Sequence, residues 1–331
     1  MPELRYEPVT DTWVIIATER AKRPKDFVPL VMAAKKEGQN CPFCPGNEDQ
    51  TPPEVMAYRP GGSAPDTPGW QVRVVPNKYP ALDDAAADPP RRDFFLSGPA
   101  AGRHEVIIET PDHDRSLARQ EPEEILLALA AWQERYRRLG QDPGIAHTQI
   151  FKNHGVVAGA SLEHPHSQLI ATPLVPAAVR SRLESTRAYH RERGRCYYCD
   201  TLAAEEREAD RVVYADGSLL AFCPFASRFP LEVWLVPRRH AASFAEADRG
   251  ELRSLAGALK AVARRLLEGM RDPPFNLMLH SLPYRETGYR DSFHWHLELA
   301  PRLTVLAGFE LGAGMFINPT PPEMAAEFYR A

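Results

Sequence analysis

The chain of 331 residues has no run of about 18 apolar residues, so nothing in it reads as a membrane-spanning helix. It has no excess of positive charge: 40 Lys and Arg stand against 44 Asp and Glu, a formal net charge of −4. A nucleic-acid partner is therefore not expected, because phosphate backbones are met with a basic field. The opening MPELRYEPVT lacks the basic start and apolar core of a secretory signal, which makes the cytoplasm the expected location. Cysteine is scarce, at five, and in a reducing compartment structural disulfides are not expected. Glycine is ordinary at 20, but proline is abundant at 32, which favours stiff turns and extended segments. What is left is the composition of a soluble globular protein, long enough for two domains with separate cores.

Four of the five cysteines form two Cys-x-x-Cys pairs, Cys41/Cys44 in CPFCPGNED and Cys196/Cys199 in CYYCD. Such a pair is a redox dithiol or half of a metal site. A redox pair opens a helix after a strand. The first pair sits in turn chemistry and the second comes after a charged helix, so the metal reading is preferred. One site built from both pairs is disfavoured, because they stand much further apart than the roughly 15 to 20 residues of the compact version. Each pair then needs two further ligands, for which histidine is the natural candidate.

Strand-like runs occur at 12–18, 72–77, 104–110, 147–153 and 167–172, and again at 211–215, 218–223, 232–237 and 297–299. A helix fits 121–140, where Leu129, Trp132, Tyr136 and Leu139 form one apolar stripe and Gly140 is an end signal. Further helices are expected over about 177–194 and 248–269. Antiparallel-looking strand groups, each succeeded by a helix, predict an α+β fold.

The two halves repeat one order of features. EVIIETPDH runs from Glu105 to His113, and EVWLVPRRH runs from Glu232 to His240. Each is preceded by a Cys-x-x-Cys pair. Each leads to a serine, a helix ending near a glycine (Gly140, Gly269), a strand, and then His-x-His: His164 and His166, or His294 and His296. These ordered matches predict an internal duplication, two repeats in one chain, divided as 1–176 and 177–331. The duplication assigns ligands: Cys41, Cys44 and His113 with one of His164/His166, and Cys196, Cys199 and His240 with one of His294/His296. Two thiolates and two imidazoles suit tetrahedral zinc, and four protein ligands make each site structural. His104, His147 and His190 have no partner pattern and are read as surface or core residues.

If zinc takes one histidine of His164-Pro165-His166, the other is held rigidly beside it with a free nitrogen. Upstream, KNHGVVAGAS offers Gly155 and Gly159 for close backbone approach, and Ser161 a hydroxyl. Gln168 lies two residues beyond His166, on the same strand face. Donors converging on a histidine suit an anionic oxygen such as a phosphate.

These residues carry a resemblance. HPHSQ, with KNHG and GAS upstream, resembles the active-site segment of galactose-1-phosphate uridylyltransferases, members of the histidine-triad superfamily. RYEPVTDTWVIIATERAKRP, CPFCPGNE, VPNKYPAL, ETPDH and GFEL come in that family's order, so the likeness covers nearly the whole chain. It implies a duplicated histidine-triad-like fold. It also implies a nucleophilic His166 forming a nucleotidyl-histidine intermediate, with zinc on Cys41, Cys44, His113 and His164. The second set, Cys196, Cys199, His240 and His294, looks like another structural zinc site. Gln168 and Ser161 would contact the transferring phosphoryl group, and Arg20, Arg23, Asn77 and Asn153 would hold the nucleotide. The implied reaction is ping-pong, with UDP-glucose as donor and a hexose 1-phosphate as acceptor, in galactose metabolism, carried out by a homodimer.

The chain departs from the family pattern at Ala160, where well-known members carry cysteine, and at Glu163, where proline is common. The tail TVLAGFELGAGMFINPTPPE resembles a branch that includes ADP-glucose phosphorylase, which uses inorganic phosphate as acceptor. An adenylyl-transferring relative is thus the alternative, and a non-catalytic nucleotide-binding protein is a third reading. In the second repeat His296 and Glu298 stand where the first has His166 and Gln168. A carboxylate there repels a phosphate, so that repeat is expected to complete the pocket and not to catalyse.

Overall fold

The computed structural model describes residues 3–16, 41–82 and 100–331. Strands β1 (Glu3–Glu7) and β2 (Thr12–Ile16) form a small sheet that β13 (Phe316–Asn318) completes in parallel. The main sheet has ten strands. The first half comprises β3 (Met56–Tyr58), β4 (Val72–Pro76), β5 (Arg103–Ile108), β6 (His147–His154) and β7 (His166–Thr172). The second half comprises β8 (Val212–Ala215), β9 (Leu219–Phe222), β10 (Val233–Pro237), β11 (Phe275–His280) and β12 (His296–Pro301). The helices are α1 (Pro122–Leu139), α2 (Ala177–Arg193), α3 (Tyr197–Glu208), α4 (Arg249–Met270), α5 (Gly308–Ala313) and α6 (Pro322–Arg330). No helix among the described residues is long and apolar enough to cross a membrane.

The sheet order is β3-β4-β5-β7-β6-β11-β12-β10-β9-β8, and every neighbouring pair is antiparallel. Read outward from the β6–β11 seam, the two halves use their strands in the same order, so the expected duplication is visible as a two-fold arrangement of one α+β unit. The seam pairs Phe151 with Met278 and Asn153 with Asn276.

Helices α1 and α4 cover one face of this sheet. Helix α1 starts where predicted: Pro122 needs no partner for its missing N–H, and the Glu124 carboxylate accepts the Glu121 N–H at 2.7 Å. Its predicted stripe, Leu129, Trp132, Tyr136 and Leu139, is buried in the core. Each such side chain contributes about 1.5–3 kcal/mol by leaving water. Asp248 caps α4 reciprocally with Glu251.

Helix α4 ends near Gly269 as expected, at Met270, and a Cβ on Gly269 would press into the Phe328 ring of α6. Two expectations need correction. Cys196 caps α3, so the second Cys-x-x-Cys pair does open a helix, although it comes after helix α2 and not a strand. The match of Glu105 with Glu232 is one residue out of register. Glu105 pairs with Leu169 and Val233 with Leu299, each three residues past the first residue of its strand, His166 or His296. The counterpart of Glu105 is therefore Val233, and that of His104 is Glu232. A one-residue slip reverses the face. Glu105 points to α1 and holds Arg135 through two bonds of 2.6 and 2.8 Å, whereas Glu232 accepts the Trp234 indole N–H on the opposite face.

Candidate active site and metal centres

The Cys-x-x-Cys loop, the residues after β5 and the start of β7 converge. Donor atoms of Cys41, Cys44, His113 and His164 all lie within 4.8 Å of one another, as do those of Cys196, Cys199, His240 and His294. The Cys44 sulfur is 3.4 Å from His113 Nδ1 and 3.6 Å from His164 Nδ1. In the second group, Cys199 is 3.4 Å from His240 Nδ1 and 3.7 Å from His294 Nδ1. Tetrahedral zinc with S and N ligands spaces those atoms about 3.6 Å apart, so both donor sets fit the ion. The rings are also aimed: His164 Nε2 donates to the Thr110 carbonyl at 2.7 Å and His240 Nε2 to the Arg290 carbonyl at 2.9 Å, leaving Nδ1 of each for a metal. Without a cation, burial, with the Cys41 thiol beside it, pushes the Cys44 thiol up to about 11. A bound divalent ion reverses that cost.

His164 is thus turned toward the sulfurs. Pro165 stiffens the step to His166, and its carbonyl accepts the Glu109 N–H at 3.1 Å. His166 Nδ1 lies 2.8 Å from the His164 carbonyl. A carbonyl only accepts, so Nδ1 carries the proton and Nε2 the lone pair. That nitrogen has no protein partner among the described residues. Burial holds the ring below the usual histidine range, so it is neutral at pH 7. Beneath the His166 main chain, the buried Lys152 ammonium donates to the Glu109 carboxylate at 2.6 Å and to the His166 carbonyl at 3.2 Å.

On the same face lie the other expected residues. Gln168 Oε1 is 3.5 Å from Asn77 Nδ2 and 2.9 Å from His104 Nε2. Asn153 Oδ1 accepts from Asn276 Nδ2 at 2.9 Å, and Asn276 donates again to the Ala158 carbonyl. Gly159 has φ +92°, a turn conformation that favours glycine, and it lies against Asn153. A hollow of about 250 Å³ crosses the seam, lined by Gln149, Phe151 and Asn153 of the first half and Asn276, Met278 and His280 of the second. Ser161 is exposed and makes no hydrogen bond among the described residues. Arg20 and Arg23 lie outside the described residues.

Sequence reasoning missed His104, whose partners are cross-strand and leave no pattern along the chain. It also missed Asn276 and His280, which meet Asn153 and the hollow only through the seam. His147 is in the core as expected.

The equivalent place in the second half is filled. His296 is 1% exposed and packed between His280 (4.7 Å between ring centres) and Tyr198 (4.6 Å). Glu298 is bound by Arg228 and accepts from His280 Nε2 at 3.2 Å. Arg182 donates to the other ring nitrogen of His280. His296 Nε2 carries the same free lone pair as His166 but is sealed from solvent.

The known proteins most informative about this chain agree with that geometry. The profile of the galactose-1-phosphate uridyl transferase N-terminal domain matches residues 1–176, and that of the C-terminal domain matches residues 182–317. The ADP-glucose phosphorylase of Arabidopsis thaliana is 36% identical, over 99% of this chain and 92% of its own. The galactose-1-phosphate uridylyltransferase of Thermotoga maritima is 32% identical, over 100% of this chain and 98% of its own. A crystal structure of the Arabidopsis ADP-glucose phosphorylase with bound ADP-glucose superposes with a TM-score of 0.84 at 35% identity, covering 100% of this chain and 98% of that one. With both family domains matched in order over a site built as described, the chain belongs to the galactose-1-phosphate uridylyltransferase family.

Proposed function

We propose that the protein is a nucleotidyltransferase working through His166, as a hexose-1-phosphate uridylyltransferase with UDP-glucose as donor. The observation that carries this reading is the His166 ring: neutral, locked by the His164 carbonyl, with a free Nε2 facing the side of the sheet that bears Gln168 and Asn153. Nε2 attacks the α-phosphorus, an N–P bond forms, and the P–O bond to glucose 1-phosphate breaks. Positive charge that develops on the imidazole is stabilised through Nδ1–H and the His164 carbonyl. Gln168 and Ser161 donate to the phosphoryl oxygens, and Arg20, Arg23, Asn77 and Asn153 hold the nucleotide. A second sugar phosphate then attacks the same phosphorus from the vacated position and releases His166.

Zinc on Cys41, Cys44, His113 and His164, and on Cys196, Cys199, His240 and His294, supplies rigidity to both repeats. The first ion fixes the backbone from which His166 projects. The repeats are 1–176 and 177–331. The second one does not catalyse, consistent with its sealed His296, and it lends Asn276 and His280 to the pocket. The working form is a cytoplasmic homodimer. Exposed Leu4 and Trp13 on the small sheet, and Val305 and Leu311 in the tail, are apolar surface of the kind a partner subunit covers.

A second reading is adenylyl transfer from ADP-glucose to inorganic phosphate. It is favoured by the 36% identity to an ADP-glucose phosphorylase and by the likeness to its ADP-glucose complex. The deciding experiment is the intact mass after brief incubation with UDP-glucose or with ADP-glucose, without acceptor. One added UMP, absent in His166→Ala, supports the uridylyl reading; one added AMP moves the protein to the second. No addition with either donor, or addition that survives His166→Ala, sinks the nucleophile assignment.

A further inference from the structure

We infer that His104 is a positioning residue that sets which end of the Gln168 amide faces the transferring phosphoryl group. The inference rests on nucleotidyl transfer at His166. His104 stands on β5 opposite Ile170, diagonal to Gln168 on β7. The Ala81 N–H points at His104 Nδ1 from 3.1 Å. A backbone N–H only donates, so Nδ1 bears the lone pair and the neutral ring carries its proton on Nε2. That N–H lies 2.9 Å from Gln168 Oε1 and donates to it.

Asn77 reinforces the orientation. Its Oδ1 accepts the Tyr79 N–H at 2.9 Å, which turns Nδ2 toward the same place, 3.5 Å from Gln168 Oε1. Asn77 Nδ2 also lies 3.1 Å from His104 Nε2; both are donors, and they share the one carbonyl oxygen. The carbonyl end of Gln168 is therefore taken from two sides. Its amide nitrogen has no protein partner among the described residues. Presented to a phosphoryl oxygen, that end donates; the reversed amide would set a carbonyl dipole against an anion. The second repeat has carboxylates at both matching positions, Glu232 and Glu298, each 1% exposed, with Arg228 within salt-bridge reach of both. Only the first repeat keeps the neutral, donor-presenting pair.

The test is a double-mutant cycle on the full-length protein, reading the single-turnover rate at which His166 is labelled by UDP-glucose and by ADP-glucose. His104→Phe keeps a ring and removes both nitrogens. The labelling rate should fall about tenfold, with the half-saturating donor concentration within about threefold, the size of one productive hydrogen bond. In the Gln168→Ala background the same substitution should add less than about twofold, since the interaction is already gone. His104→Gln, which can place a donor where Nε2 was, should recover part of the rate. Independent, multiplying losses would overturn the inference. Nitrogen NMR of the His104 ring should show a protonated Nε2 and a bare Nδ1 at neutral pH. The opposite tautomer overturns the inference whether or not either donor labels the protein. Failure of both donors to label the wild type instead overturns the transfer reading on its own.

Discussion

Replacing Lys152 by Met removes one partner of an ion pair whose side chains are 3% and 4% exposed. The Glu109 carboxylate is then left buried and uncompensated, which costs about 3–5 kcal/mol. Glu109→Leu leaves the ammonium stranded at a similar cost. The double variant replaces the pair with apolar groups of similar size, an exchange that is close to neutral or stabilising in buried sites. Its stability should lie within about 1 kcal/mol of wild type, giving a coupling of about 5 kcal/mol or more between the two substitutions. Urea unfolding with zinc in excess measures this. Each single variant should move the midpoint down by about 1 M or more, with the double variant near wild type. The kinetics separate as well. Glu109 unopposed pushes the His166 ring upward, so the acid limb of labelling should rise in Lys152→Met and return in the double variant. Single substitutions below about 1 kcal/mol, or a double equal to their sum, would refute the reasoning that Lys152 and Glu109 act as one buried pair.

Elemental analysis should find two zinc ions per chain, with Cys44→Ser and Cys199→Ser each losing one. Loss of both from either variant would mean the two sites are not independent. Labelling of His166 should persist as pH falls past the ordinary histidine value, because burial lowers its pKa and only the protonated ring lacks the lone pair; a limb above pH 7 would contradict this. His147 is buried, and burial lowers its pKa to about 4. Its unfolded form takes a proton first, so stability is unaffected above pH 6.5 and is lost as pH falls from 6.5 toward 4, by about 3 kcal/mol in total. Thermal melts of His147→Leu across that window should show a shallower decline than wild type; equal slopes would count against it.

The two clusters of two cysteines and two histidines were readable because each residue is named by its own chemistry and the order recurs. Cys41, Cys44, His113 and His164 are separated in sequence but carry residue types with few other uses in such a pattern. The α1 stripe was readable because a helix repeats locally. His104 was not, since its partner Gln168 is 64 positions away and is met only across the β5–β7 ladder. The Glu105/Glu232 match misled because a letter match carries no facing. The connection to His240 is one residue shorter than that to His113, and the strand absorbs the difference by presenting the other side. The end of α4 near Gly269 was readable, but the packing reason was not: the missing side chain makes room for Phe328. Strands β3 and β13 and helix α5 offered too few residues for a period to show, and α3 buries only Tyr198, Leu202 and Glu205, too thin a stripe to read.

The seam between β6 and β11 has a dynamic consequence. Two-lobed enzymes commonly admit substrate by hinging their lobes apart, but here the lobes are joined by main-chain hydrogen bonds in the centre of one continuous sheet. Parting them would break the ladder on which Asn153 and Asn276 meet. Amide hydrogens of these two strands should be among the slowest to exchange in the molecule. Substrate traffic must then be governed by the loops above the sheet face, so turnover and global stability can be tuned by separate sets of residues.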